Sequence, residues 1–182
     1  MANFGFRTLA RVPHGSNSAG IYPFVAPAFS SKVRLHPVQT PKAREIMSAE
    51  LNIYNPEELG PPMGQYTHVT RVKANEFLFI AGMLSGDSSG NVIGDGDFDA
   101  QTRQVFRNVE AALKSAGASW ANVVQFTTYL VHSQDIPKFM AFRLREFPKM
   151  FPNGKYPPNT LLIVDRLVKE QFLVEVQTIA AV

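Results

Sequence analysis

Residues 77–82 read Phe77-Leu78-Phe79-Ile80-Ala81-Gly82. In an extended chain successive side chains point to opposite faces. Phe77, Phe79 and Ala81 therefore look one way, and Leu78, Ile80 and Gly82 the other. Neither face carries a charge. Residues 161–164 repeat the pattern, with Leu161 and Ile163 opposing Leu162 and Val164. Strands that are apolar on both faces are covered on both. Whatever surrounds these strands has to supply two covers.

The flanking sequence supplies one. Thr67 to Lys73 and Phe77 to Leu84, separated by Ala74-Asn75-Glu76, read as two strands joined by a short hairpin. A turn-rich loop, Gly86 to Asn91, follows. Asp97 is placed to cap a helix from about Phe98 to Ala116. Asp99 suits its N-terminal dipole, and Gly117 stands where a left-handed C-terminal cap belongs. Val105, Val109, Ala112, Leu113 and Ala116 recur at helical spacing on it. Val123 to Val131 is β-branched and aromatic, hence a strand. Asp135 is placed to cap a second helix over 136–147, with Pro137 tolerated in its first turn. A loop from Pro148 to Pro158 carries four prolines, and strands follow over 160–167 and 171–180. The order β-β-α-β-α-β-β is an α+β sheet with two helices. Two helices cover one face of such a sheet. The economical cover for the other is a second copy of the chain; loops or the N-terminal segment are the competing cover.

Composition narrows the chemistry. The 182 residues include no cysteine, which removes disulfides, thiolate nucleophiles and cysteine metal sites together. The four histidines (His14, His36, His68, His132) show no metal-binding spacing, so no metal is expected. Asp95, Asp97 and Asp99 are more cheaply explained as helix-start acids than as a cation loop. No apolar run approaches the ~18 residues that span a membrane. The net charge of +3 invites a nucleic-acid reading, but its distribution argues against one. Residues 1–46 hold six basic side chains and one acidic, whereas 47–182 hold 12 basic and 14 acidic. The globular part has no global attraction for phosphate backbones.

Residues 1–46 also carry five of the 13 prolines and no acid before Glu45. They read as a disordered or targeting N-terminal extension, the domain proper being 47–182. Translation from Met47 and an organellar transit segment are competing accounts. The first leaves the protein cytoplasmic, the second mitochondrial or plastid.

Several segments together carry a resemblance. Gly64-Gln65-Tyr66-Thr67, Phe79-Ile80-Ala81-Gly82, Gln101-Thr102-Arg103-Gln104-Val105 with Asn108, Gly117-Ala118-Ser119, Val164-Asp165-Arg166-Leu167 and Val174 to Ala180 are similar to successive motifs of the Rid (reactive intermediate deaminase, YjgF-like) family. The match runs from about Leu51 to Val182. It implies a chorismate-mutase-like fold: a mixed sheet with two helices on one face, assembled as a homotrimeric barrel with small-molecule pockets between subunits. It also implies hydrolysis of enamines or imines to ketones and ammonia, with no cofactor.

The chain departs from the family at two places. Asn159 stands where archetypal members carry a carboxylate-gripping arginine, and Gln177 where they carry a glutamate that positions water. Leu161 replaces a small or thiol residue. A guanidinium and a carboxylate are thus missing together, which leaves those two positions neutral and avoids one unpaired buried charge. On this reading Tyr66, Asn159 and Gln177 are the catalytic candidates and Gly82, Thr160 and Leu161 line the substrate. Asn159 and Gln177 are expected to share one inter-subunit cleft with Tyr66 nearby, and carboxylate substrates to bind weakly. Gln177 can hold water but cannot act as a base. His68 or His132 could take that part, though a lone histidine is more often structural. Arg166 is expected in a structural ion pair with Asp165 or a neighbour. The functional reading is a small-molecule enamine or imine hydrolase, or a tautomerase, of a specialised pathway. A non-enzymatic ligand-binding or partner-regulating scaffold is the alternative, and an endoribonuclease the weakest reading.

Overall fold

The computed structural model describes residues 49–182. The expectations for residues 1–46, and the localisation that depends on them, lie outside the described residues. No helix among those described is long and apolar enough to cross a membrane. The strands are β1 (Glu50–Tyr54), β2 (Val69–Lys73), β3 (Phe77–Met83), β4 (Val123–Leu130), β5 (Asn159–Ile163) and β6 (Val174–Ala181). Helix α1 (Phe98–Ser115) follows β3, and α2 (Ile136–Met150) lies between β4 and β5.

The main sheet has the order β3-β6-β4-β5. β6 is antiparallel to both β3 and β4, while β4 and β5 run parallel. A parallel pair needs a crossover, and α2 supplies it. The sheet is therefore mixed, with both helices on one face, and the fold is the expected α+β architecture. Strand β1, which the sequence pattern does not mark, pairs antiparallel with β2 in a separate two-stranded sheet.

The expected hairpin between β2 and β3 does not form. A three-residue hairpin loop wants a residue in the left-handed region, and Ala74-Asn75-Glu76 offers no glycine. No non-glycine residue among those described has a positive φ. Instead Glu76 exchanges backbone hydrogen bonds with Val182 (3.2 and 3.0 Å), which delivers β3 onto β6.

α1 is capped as its sequence requires. The Asp97 carboxylate accepts from the Ala100 N–H at 3.0 Å. At the other end Gly117 (φ +73°) allows a Schellman motif, with Gly117 N–H to the Lys114 carbonyl and Ala118 N–H to that of Leu113. α2 runs one turn past its expected end, through Pro148 to Met150. The Asp135 side chain does not cap it but pairs with Lys138 Nζ at 2.9 Å.

The core lies between the helices and the sheet. Val105, Phe106 and Val109 of α1, Phe139, Phe142 and Phe147 of α2, and Phe126, Val174 and Val176 of the sheet are all buried. Phe106 touches the rings of Phe126, Phe139, Phe142 and Phe147 with centroids 4.9–6.5 Å apart.

The polar residues of α1 fix the strand ends. Gln101 is fully buried; its Nε2 donates to the carbonyls of Gly94 and Gln171, and its Oε1 accepts from Leu173 N–H. Asn108 Nδ2 donates to the carbonyls of Leu84 and Gly86. One helix thus holds the exit of β3 and the entry of β6. Those two points carry Gly82 and Glu175.

Candidate functional site

On β6 the buried positions Val174, Val176, Thr178 and Ala180 face the helices, so Glu175, Gln177 and Ile179 face the open side. β4 places Gln125, Thr127 and Tyr129 on the same side, since Phe126, Thr128 and Leu130 are buried. Register sets Thr127 between Gln177 of β6 and Thr160 of β5. Tyr129 pairs with Glu175 in the same way.

A cleft of about 290 Å³ opens there, lined by Gly82, Tyr129, Val164, Arg166, Leu167, Glu175 and Gln177. Gly82 is expected to leave room for substrate. The room is real, but the chain's own Glu175 occupies it: a Cβ at position 82 would overlap the Glu175 carboxylate. Burial pushes the Glu175 carboxyl up from its ordinary value, with no partner among the described residues to offset it. Arg166 approaches Glu170 only at 3.9 Å, on the surface, and its Nε donates to the Leu167 carbonyl at 3.4 Å. An ion pair this exposed is worth little. Beside the neutral Gln177 the cleft thus holds a carboxyl and a guanidinium.

Sequence reasoning passes over Glu175. The signal is present in Val174-Glu175-Val176-Gln177, whose alternation puts both polar side chains on one face, two residues apart. The Gly82 contact that makes Glu175 unusual is between strands and invisible in sequence.

Asn159 and Leu161 lie on the other side of the sheet. Thr128, fully buried, donates to Asn159 Oδ1 at 2.8 Å. Leu161 packs against the hydrophobic core. Tyr66 sits beside α2, its hydroxyl accepting from Met63 N–H at 3.3 Å and its ring edge-on to His68 at 5.8 Å. Thr67 next to it donates to the Tyr156 carbonyl at 2.7 Å, so the Tyr66 loop is tied to the segment that enters β5. Within one chain, then, Asn159 is on the helix side with the Tyr66 loop, while Gln177 and Thr160 are on the open side. One chain does not bring Asn159 and Gln177 into a common cleft.

The remaining candidates resolve simply. Asp97 is a helix cap, and Asp95 accepts from Gln171 Nε2 at 3.1 Å. No group of three or more metal-ligating side chains occurs among the described residues. His68 Nδ1 is buried without a partner among the described residues.

Similarity to known proteins agrees with this geometry. Residues 58–182 match the family model described as Endoribonuclease L-PSP. A RutC family protein of Pyrococcus horikoshii is 36% identical over 124 residues, 68% of this chain and 92% of the relative. The 3-aminoacrylate deaminase RutC of Acinetobacter baylyi is 30% identical over 127 residues, 70% of this chain and 94% of the relative. The solved structure of the Rid-family protein YyfB from Yersinia pestis superposes with a TM-score of 0.65 at 28% identity, covering 72% of this chain and 98% of YyfB. With that match extending over the sheet, both helices and the strands that frame the cleft, the chain belongs to the Rid family.

Proposed function

We propose that this protein is a deaminase of small enamines and imines, working without a cofactor, assembled as a homotrimer, and using Glu175 as its proton-transferring group. The observation that carries the proposal is the Glu175 carboxyl: half-buried, unpaired among the described residues, seated over Gly82 and facing a cleft with Tyr129, Arg166 and Gln177. A carboxyl whose proton affinity is raised by burial is suited to give and take protons. The named activity of the A. baylyi relative supports the reaction class.

The chemistry needs one such group. The Glu175 carboxylic acid protonates the enamine carbon, leaving a carboxylate and an iminium ion. The carboxylate then removes a proton from water as the water oxygen bonds to the iminium carbon. The recovered acid protonates the amino nitrogen of the carbinolamine, the C–N bond breaks, and ammonia leaves. The protonated carbonyl returns its proton to Glu175. The sum is enamine plus water to carbonyl plus ammonia. Gln177 cannot move these protons, but its amide can hold the water by hydrogen bonds.

The open face supports the trimer, since its β3 and β5 margins present Phe77, Phe79 and Leu162 to solvent in a single chain. Apolar margins around a polar middle fit a subunit contact that encloses a wet cleft. The test is ammonia release from freshly generated 2-iminopropanoate and from a neutral imine of similar size. Glu175→Gln should lower kcat on at least one of them by roughly a hundredfold or more, with assembly intact. Ammonia release by Glu175→Gln at the wild-type rate would overturn the assignment.

A further inference from the structure

Arg143 on α2 is 2% exposed, yet no carboxylate among the described residues pairs with it. Its guanidinium lies over the ring of Phe147 (4.8 Å to the centroid) and beside that of Phe139 (5.7 Å). These contacts cover its faces and leave its edges for hydrogen bonding. Nη2 donates to the Gln65 carbonyl, and Nε is buried with no partner among the described residues. Nε and Nη2 form the edge through which arginine holds a carboxylate with two parallel hydrogen bonds. Here half of that edge is unsatisfied and the other half is on a neutral oxygen of an irregular loop.

The surroundings fit a ligand. Burial pulls the Arg143 guanidinium down to about 10, and Tyr66, next in sequence to Gln65, is near enough to favour its charged form. A buried cation without a counter-ion is costly, and an anion bound there relieves the cost. Gly64 is packed on Met140, where a Cβ would collide with the methyl group, so backbone lies directly on α2 at this point. The loop tip beyond it is open, with Met63 90% exposed. Lifting Gln65 would free the whole Nε/Nη2 edge.

We propose that Arg143, beneath the Gln65-Tyr66 loop, is the carboxylate anchor of this protein, holding an anionic substrate by its Nε/Nη2 edge in place of the Gln65 carbonyl. The arginine absent at position 159 then has a counterpart on α2. Asn159 lies on the same side of the sheet: it pairs in register with Phe126, whose ring is 6.0 Å from that of Phe147. The inference deepens the deaminase reading and rests on it only for the kind of substrate. It reverses the expectation of weak carboxylate binding.

The test measures binding and needs no turnover. The full chain is titrated calorimetrically with pyruvate, the ketone of 2-iminopropanoate, and with pyruvamide, its uncharged amide. The wild type should bind pyruvate about tenfold or more tighter than pyruvamide. Arg143→Gln should abolish that preference, chiefly by weakening pyruvate. If Arg143→Gln does not fold, Arg143→Lys carries the comparison: it keeps the charge, loses the paired edge, and should bind pyruvate several-fold more weakly. A wild type indifferent to the charge, or a folded Arg143 variant that binds pyruvate unchanged, overturns the proposal. A preserved pyruvate preference with no ammonia release supports this site while contradicting the deaminase reading.

Discussion

The two faces of the four-stranded sheet are built from similar residue types and end differently. On the helix side, Phe126, Leu130, Val174 and Val176 meet the aromatic faces of α1 and α2 and are all sealed from water. On the open side Phe79 is 77%, Phe77 46% and Leu162 40% exposed in one chain. Between them stand Thr127, Thr160, Glu175 and Gln177. The apolar side chains of the helix face make a continuous core. Those of the open face form margins around a polar strip. The difference teaches how one sheet can do two things: one face holds the chain together, and the other keeps apolar margins and a polar strip open to solvent in a single chain.

Substitutions can break this contrast, and the largest effect should come from the sealed face. Phe106 touches four other core rings, so Phe106→Ala should cost about 3–5 kcal/mol in a denaturant titration. Phe79→Asp on the open face should leave each chain folded but break the assembly. Sedimentation at micromolar concentration should show the mass fall from trimer to monomer; a stable trimer of the Phe79→Asp variant would remove this face from the interface.

A finer contrast concerns charge. The Glu175 pKa is raised in the folded state, so the folded chain binds its proton more tightly than the unfolded chain does. Stability from this group is present at low pH and is lost as pH rises from about 4.5, the ordinary value, through the raised one. Glu175→Gln should flatten that fall, and its melting temperature should match or exceed the wild type at neutral pH. A steeper loss in the variant would mean that the carboxylate is paired. The smallest effects belong to local hydrogen bonds. Asp97→Ala removes an N-cap and should cost about 1 kcal/mol. Asn159→Ala, which leaves Thr128 without its acceptor, should cost about the same.

Most of the fold was readable from periodicity. Phe77 to Gly82 announced a two-sided strand, and Asp97 and Gly117 marked the limits of α1. Strand β1 escaped because Glu50-Leu51-Asn52-Ile53-Tyr54 is short and pairs with β2 outside the main sheet. The false hairpin came from reading proximity in sequence as pairing, when the partner of β3 is β6, about a hundred residues later. The site was half legible. Gly82, Gln177 and Thr160 were named through the family resemblance; alternation grouped Gly82 with Leu78 and Ile80, and the irregularity between Ile80 and Met83 sets it against Glu175 instead. Asn159 and Gln177 could not be separated by sequence, because which face a β5 side chain takes depends on its register with β4. Glu175 and Arg143 stood out only through burial without a partner, a property of three-dimensional packing.

Glu175 is on the open face and Arg143 on the helix side of one chain, so the proposed reaction with the proposed anchor requires a site drawn from two copies. The most direct test mixes Glu175→Gln and Arg143→Gln chains, unfolds them and refolds them together. Each variant alone should release little ammonia from 2-iminopropanoate. In randomly mixed trimers roughly a quarter of the interfaces pair an intact Glu175 with an intact Arg143 of the neighbour, and activity should return to about that fraction. Mixed trimers that form but regain no activity would contradict a site shared between copies.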